Sequence, residues 1–127
     1  MQIEKAIRLA PLNNESTAAL TDIMLVEGVV SYFEINYPDG CAGLVHTVVY
    51  HWDVKLWPSN ETDTFTGNGI QIGFRPNYPL TRSPFTLTIK AWNTDDLYYH
   101  TPIYRLELQE KGTTPLDQLK RLFLLGG

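Results

Sequence analysis

The stretch from Leu44 to Trp57 constrains the fold of this chain more than any other. Its even positions are apolar or aromatic except for one histidine, whereas its odd positions mix polar residues with valines and a tryptophan. This two-residue period places alternate side chains on opposite faces of an extended strand, and no apolar stripe follows a helical period. The stretch is 14 residues long, against about five or six for a usual strand. We therefore expect this strand to bend, to carry a bulge or to reach a partner.

Shorter segments show the same alternation or carry turn signals. The other predicted strands are Ile23–Glu27, Val29–Tyr37, Ile70–Phe74, Phe85–Trp92 and Ile103–Gln109. Pro38-Asp39-Gly40 is a strong turn signal, and it predicts an antiparallel hairpin between Val29–Tyr37 and the central strand. Gly28 is expected at a bulge or a tight bend, and the proline-rich stretch 76–84 is expected to form a loop. Met1–Ala10 fits either a short first strand or a helical turn.

The last segment differs because its apolar residues follow a helical period. Thr114 suits the N-cap position and Pro115 the first helical position. The apolar stripe consists of Leu116, Leu119, Leu122 and Phe123. We therefore predict a short helix over residues 113–125. A helix of this length is marginal in isolation, so its stripe is expected to dock on this chain's own sheets or on a neighbouring subunit.

Together these elements predict an all-β fold. The expected architecture is a two-sheet antiparallel β-sandwich, immunoglobulin-like or jelly-roll-like, followed by the C-terminal helix. A small closed barrel is the alternative. The 127 residues fit a single domain spanning residues 1–127, and a hydrophobic content of 43% is sufficient for a buried core.

Charge and composition argue against several classes of function. The formal net charge is −4, and the basic residues are scattered except for the adjacent Lys120 and Arg121. Binding to a phosphate backbone requires a basic stripe, so we expect no nucleic-acid partner. The longest aliphatic runs, 23–26 and 122–125, are far shorter than the roughly 20 residues that span a bilayer, so no membrane association is expected. The N-terminus lacks the apolar region of a signal peptide, which favours cytoplasmic synthesis, with or without incorporation into a particle.

Few residues have the chemistry for a metal site or for catalysis. His51 and Asp53 stand two apart on one face of the predicted central strand, and such a pair can supply two metal ligands or an oriented base. His100 and the Asp95-Asp96 pair are the other obvious donors. A solvated strand face alternates polar residues in any case, and an Asx-rich turn satisfies its own backbone. We therefore expect no catalytic residue, no metal and no other cofactor.

Exposed tryptophan and tyrosine side chains stack on sugar rings or anchor protein interfaces. Trp92 lies on the polar face of its predicted strand, and Trp57 ends the central strand just before a proline. These two are predicted to be exposed binding anchors, and Tyr98 and Tyr99 are predicted to serve as anchors too. Trp52 falls on the apolar face and is predicted to lie in the core. The alternative is that all three tryptophans pack inside the domain.

These patterns favour three functions. The overlong strand, the Pro-rich and Asn-rich loops and the terminal apolar stripe favour a non-enzymatic assembly module. Such a module would be a subunit of a larger multi-chain particle, such as a virion or a phage-tail-like component, with other protein subunits or further copies of itself as partners. The alternative is a carbohydrate-binding or other ligand-binding module that uses exposed Trp and Tyr. The third is a small metal-dependent enzyme that uses His51, Asp53 and His100.

Overall fold

A computed structural model of the chain describes residues 1–112, and this part is built almost entirely of strands. The elements are β1 Gln2–Ala6, a 3-10 turn Glu15–Thr17, β2 Ala19–Met24, β3 Gly28–Tyr37, β4 Val45–His51, β5 Val54–Trp57, β6 Ile70–Phe74, β7 Tyr78–Leu80, β8 Thr86–Asn93 and β9 Ile103–Glu110. The predicted helix over residues 113–125, with Leu116, Leu119, Leu122 and Phe123, lies outside the described residues.

The strands form two antiparallel sheets, which confirms the prediction of an all-β sandwich. The first sheet has the order β1-β9-β3-β6, and the second has the order β2-β8-β4-β5. The short β7 pairs with residues 28–30 of β3 and β6 pairs with residues 33–37, so both occupy the edge of β3 that faces away from β9. Side chains from both sheets meet in one core that contains, for example, Phe33, Leu106, Val49 and Ile89.

The prediction of one long strand over residues 44–57 is wrong, because the chain reverses direction within this stretch and forms two strands. β4 and β5 pair through His51 and Val54, and Trp52 and Asp53 form the turn between them. Trp52 has a φ of +58°, and its side chain is 67% exposed, so its predicted place in the core is also wrong.

The face assignment of β4 is inverted as well. The odd positions Val45, Thr47 and Val49 face the core, but Val48 on the opposite face is buried too. Because both faces of β4 are covered, the alternation of apolar residues does not distinguish the inner face from the outer one.

The turn at Pro38-Asp39-Gly40 does not close the predicted hairpin. β3 belongs to the first sheet and β4 to the second, so this turn carries the chain from one layer to the other. The Asn68 side chain holds the turn, because its Oδ1 accepts hydrogen bonds from the backbone N–H groups of Gly40 at 2.8 Å and Ala42 at 3.1 Å.

β3 contains the bulge that was expected near Gly28, but the bulge lies at Ser31, where the pairing with β9 changes register between Val30 and Tyr32. The extra residue shifts the phase of the strand, so Val30 before it and Phe33 after it are both buried. β7 lies inside the proline-rich stretch that was expected to be a loop. Its position at a sheet edge is one that proline tolerates.

Candidate functional site

The residues considered for the metal-dependent enzyme, His51, Asp53 and His100, do not form one site. The buried His51 donates from Nε2 to the Pro84 carbonyl at 3.0 Å, because that carbonyl can only accept. Its Nδ1 lies 2.7 Å from the Tyr78 hydroxyl, from which a neutral imidazole accepts a hydrogen bond. Asp53 is exposed in the neighbouring turn. Within residues 1–112, no three His, Cys, Asp or Glu side chains cluster around a position for a metal ion.

His100 lies at the other end of the sandwich from His51. In the β4–β8 pairing, His51 is opposite Leu87 and Val45 is opposite Asn93. His100 follows the loop that begins after Asn93. Six residues of β8 separate these ends, which is about 20 Å. The two histidines therefore cannot share a metal ion or a substrate.

Two of the predicted aromatic anchors are not exposed. Trp92 is only 6% exposed, and His46 covers it with ring planes 7° apart and centroids at 5.2 Å. Trp57 is half-buried and packs against Phe33 and Phe74. The predicted exposure of Trp57 and Trp92 is therefore wrong, and Trp52 is the exposed tryptophan.

Tyr98 and Tyr99 are exposed as predicted, at 66% and 52%. Two leucines extend this surface, Leu97 at 73% and Leu12 at 74% exposure. The loops that carry them lie side by side, because the Leu12 N–H donates to the Asp95 carbonyl at 2.8 Å. The Arg8 guanidinium lies over the Tyr99 ring at 4.0 Å. We call Leu12, Leu97, Tyr98 and Tyr99 the Tyr98 patch.

The loop that presents the Tyr98 patch is held by its own polar side chains. Asn93 Nδ2 donates to the Leu9 carbonyl at 3.2 Å and to the Tyr98 carbonyl at 2.8 Å. Asp95 Oδ1 accepts from the backbone N–H groups of Leu97 at 2.9 Å and Tyr98 at 3.2 Å. The loop is thus an ordered Asx turn whose apolar side chains remain exposed while its backbone is hydrogen-bonded.

Asp95 and His100 complete this support. Asp95 Oδ2 and His100 Nε2 lie 2.8 Å apart, and both side chains are largely shielded from solvent. The Leu97 N–H and then His100 hold the pKa of Asp95 below its usual value. Among residues 1–112, no hydroxyl or thiol is hydrogen-bonded to His100, so the pair lacks the nucleophile of a catalytic triad.

The outer face of the first sheet carries a groove of about 350 Å³ with a different character. At its floor the buried Glu34 carboxylate accepts from Tyr32 at 2.9 Å, Gln71 at 2.8 Å and Arg105 at 2.8 Å, and Arg105 also pairs with Glu4. Hydrogen bonding to Glu34 raises the pKa of Tyr32 and the pKa of Arg105, so both pKa values lie further above neutral pH. This arrangement stabilises the sheet face and is unsuited to acid–base chemistry near neutral pH.

Sequence reasoning missed Leu12, Leu97 and Trp52 as exposed residues. A signal was present for Leu97, because the Asn93–Asp96 turn is followed at once by Leu-Tyr-Tyr, and a turn that satisfies its own backbone leaves such side chains outside. Leu12 and Trp52 carried no comparable signal.

Comparison with known proteins gives no family for this chain. No protein-family model matches it, and no curated protein or solved structure matches it. In the part of the chain that the structure describes, no helix has both the length and the apolar character needed to cross a bilayer.

Proposed function

We propose that this chain is a non-enzymatic assembly module, a subunit of a larger multi-chain particle such as a virion or a phage-tail-like component. The observation that carries the proposal is the Tyr98 patch, which joins exposed leucines and tyrosines on a loop fixed by hydrogen bonds. Aromatic anchors held rigidly before binding lose little conformational entropy when a partner covers them. Tyrosine is also among the residue types that dominate the binding energy of protein interfaces.

The order of the strands supports a jelly-roll fold within the sandwich class. When the short β7 is set aside, every connection between consecutive strands crosses from one sheet to the other, except the β4–β5 hairpin. This is the order expected of a jelly roll, an architecture found in capsid subunits, lectins and cupins. The fold agrees with an assembly role but does not establish it, because one fold serves many functions.

The backbone of Leu12 supports the same surface. Leu12 has a φ of +63°, a conformation that costs a leucine about 1 kcal/mol or more. Its exposed side chain gains little from packing within this chain. A partner that covers Leu12 would supply the compensating burial.

The proposal is tested by sedimentation velocity across a wide range of protein concentration. We expect the wild type to associate and the double variant Leu97→Ser, Tyr98→Ser to remain monomeric, with an unchanged circular dichroism spectrum. Leu20→Ser is the matched control, because Leu20 is a leucine that is 68% exposed on β2 and is not part of the patch. A wild type that stays monomeric at every concentration, or a double variant that associates as the wild type does, would refute the proposal.

The predicted interface residues Leu116, Leu119, Leu122 and Phe123 give a second element for the same test. Deletion of residues 113–127 is expected to weaken association if the predicted helix docks on a neighbouring subunit. An effect of the deletion without an effect of the patch variant would place the interface on that segment and not on the Tyr98 patch.

A further inference from the structure

Trp52 combines two unfavourable features that its surroundings do not explain. It is the first of the two residues that turn the chain from β4 to β5, and its φ is +58°. In two-residue hairpin turns this position belongs ordinarily to glycine or asparagine. Trp52 is nevertheless 67% exposed, and no other aromatic ring in residues 1–112 contacts its indole. The chain thus keeps a large aromatic side chain at a strained position where its own fold gains little from it.

Two grooves flank the Trp52 ring. One has a volume of about 330 Å³, and its lining includes Asp22, Met24, Thr86 and Thr88. The other has a volume of about 190 Å³, and its lining includes Asp53, Arg82 and Ser83. Their combined volume is within the size range of a site for a small molecule, and polar groups lie on both sides of Trp52.

The polar groups around Trp52 include unused hydrogen-bonding capacity. The side chains of Asp53 and Arg82 have no hydrogen-bond or ion-pair partner within the described chain. One carboxylate oxygen of Asp22 accepts a hydrogen bond from the Thr88 hydroxyl at 2.7 Å, and the second oxygen is available to a ligand. A carboxylate and a guanidinium are planar groups, and each can form hydrogen bonds to two adjacent hydroxyls. Because the site contains both negative and positive side chains, its charges partly cancel.

We propose that Trp52 is the stacking platform of a binding site for a neutral sugar. The apolar face of a pyranose ring lies on the indole, and its hydroxyls bond to Asp53 and Arg82 on one side and to Asp22 on the other. The two carboxylates beside the indole, Asp22 and Asp53, favour a polyhydroxylated ligand over a protein partner, because aspartate is depleted in protein interfaces.

This site lies at the opposite end of the sandwich from the Tyr98 patch. Trp52 follows His51, which pairs with Leu87, whereas the loop of the Tyr98 patch follows Asn93 at the other end of β8. The two proposals are therefore independent. A subunit held through the Tyr98 patch would leave Trp52 free to meet a glycan.

The test is titration of the ¹⁵N-labelled chain with the methyl glycosides of glucose, galactose, mannose and N-acetylglucosamine at millimolar concentrations. At least one sugar is expected to shift the indole N–H signal of Trp52 and to leave those of Trp57 and Trp92 in place. Trp52→Gly suits the backbone conformation, so it should fold at least as stably as the wild type and lose binding by about tenfold or more, as expected for a central aromatic anchor. Arg82→Gln should weaken binding, and Leu20→Ser should not.

The proposal is overturned if none of the four sugars shifts the Trp52 signal, or if Trp52→Gly binds a sugar as well as the wild type does. It is also overturned if Trp52→Gly alters sedimentation while no sugar binds, because Trp52 would then serve a protein interface. Failure of the sugar titration leaves the association experiment on the Tyr98 patch unaffected, so the two proposals fail separately.

Discussion

Thr47 joins the two sheets through a chain of buried hydroxyl groups. Its Oγ1 lies 2.8 Å from the Tyr37 hydroxyl and 2.7 Å from the Tyr104 hydroxyl, and Tyr37 also reaches the Phe65 carbonyl at 2.9 Å. Tyr37 is the donor to both Thr47 Oγ1 and the Phe65 carbonyl, so its one hydroxyl hydrogen is shared between them. In the Thr47–Tyr104 pair either hydroxyl can donate. Burial raises the pKa of Tyr37 and of Tyr104, so both hydroxyls keep their protons.

Thr47→Val replaces the hydroxyl with a methyl group of nearly the same size at a fully buried position. The buried Tyr104 hydroxyl then has no partner, which costs about 1–3 kcal/mol, and Tyr37 loses one bond worth about 1 kcal/mol. The added methyl group returns roughly 0.8 kcal/mol by burial. The net loss in the free energy of unfolding is about 2 kcal/mol. At a urea m-value of about 2 kcal/mol/M, the midpoint of unfolding should fall by about 1 M.

A double-mutant cycle isolates the cause. Tyr104→Phe removes the hydroxyl that Thr47→Val leaves unpaired, so Thr47→Val should cost at least about 1 kcal/mol less in the Tyr104→Phe background. Urea unfolding monitored by tryptophan fluorescence measures all four proteins. An equal cost of Thr47→Val in both backgrounds would refute the hydroxyl chain, because it would show that the loss does not depend on the Tyr104 hydroxyl.

Two further predictions concern β3 and the loop of the Tyr98 patch. A Cβ at Gly28 would lie 2.3 Å from the Gln109 carbonyl oxygen, so Gly28→Ala should lower the free energy of unfolding by about 1–3 kcal/mol or more. Gly43→Ala is the contrasting variant: a Cβ there meets open space, so its cost comes from the φ of +74° and not from a clash. The pKa of Asp95 is lower in the folded state than in the unfolded state. Its stabilisation of the loop should therefore be complete above the unfolded pKa of about 3.9 and should disappear as the pH falls through the lower folded pKa. Amide hydrogen exchange at Leu97 and Tyr98 should show this pH dependence, and Asp95→Asn should remove it.

The sandwich could be predicted from the sequence because β8 has an unambiguous pattern. Leu87, Ile89 and Ala91 are buried as their alternation with threonines predicts. β4 resisted the same reasoning, because both of its faces are covered and Trp52 reverses the chain without a glycine or an asparagine. The location of the hairpin was therefore not readable from local residues.

The candidate sites depended on contacts between residues distant in sequence. Trp92 does lie on the polar face of β8, but His46 stands opposite it on β4 and covers its ring. Only the register of the two strands reveals that contact. Tyr98 and Tyr99 were predictable because the Asn93–Asp96 turn is local, and a turn that satisfies its own backbone leaves the next side chains exposed.

Four residues other than glycine adopt a positive φ in the described chain: Leu12, Ala42, Trp52 and Asn77. Asparagine tolerates this conformation, and alanine is the smallest side chain with a Cβ. Leu12 and Trp52 are neither, and both are mainly exposed, so burial within this chain offsets little of their strain. A glycine at either position would relieve the backbone, yet the chain retains two large apolar side chains, one at each end of the sandwich. This strain supports the two proposals above, a protein partner that covers Leu12 and a sugar that covers Trp52.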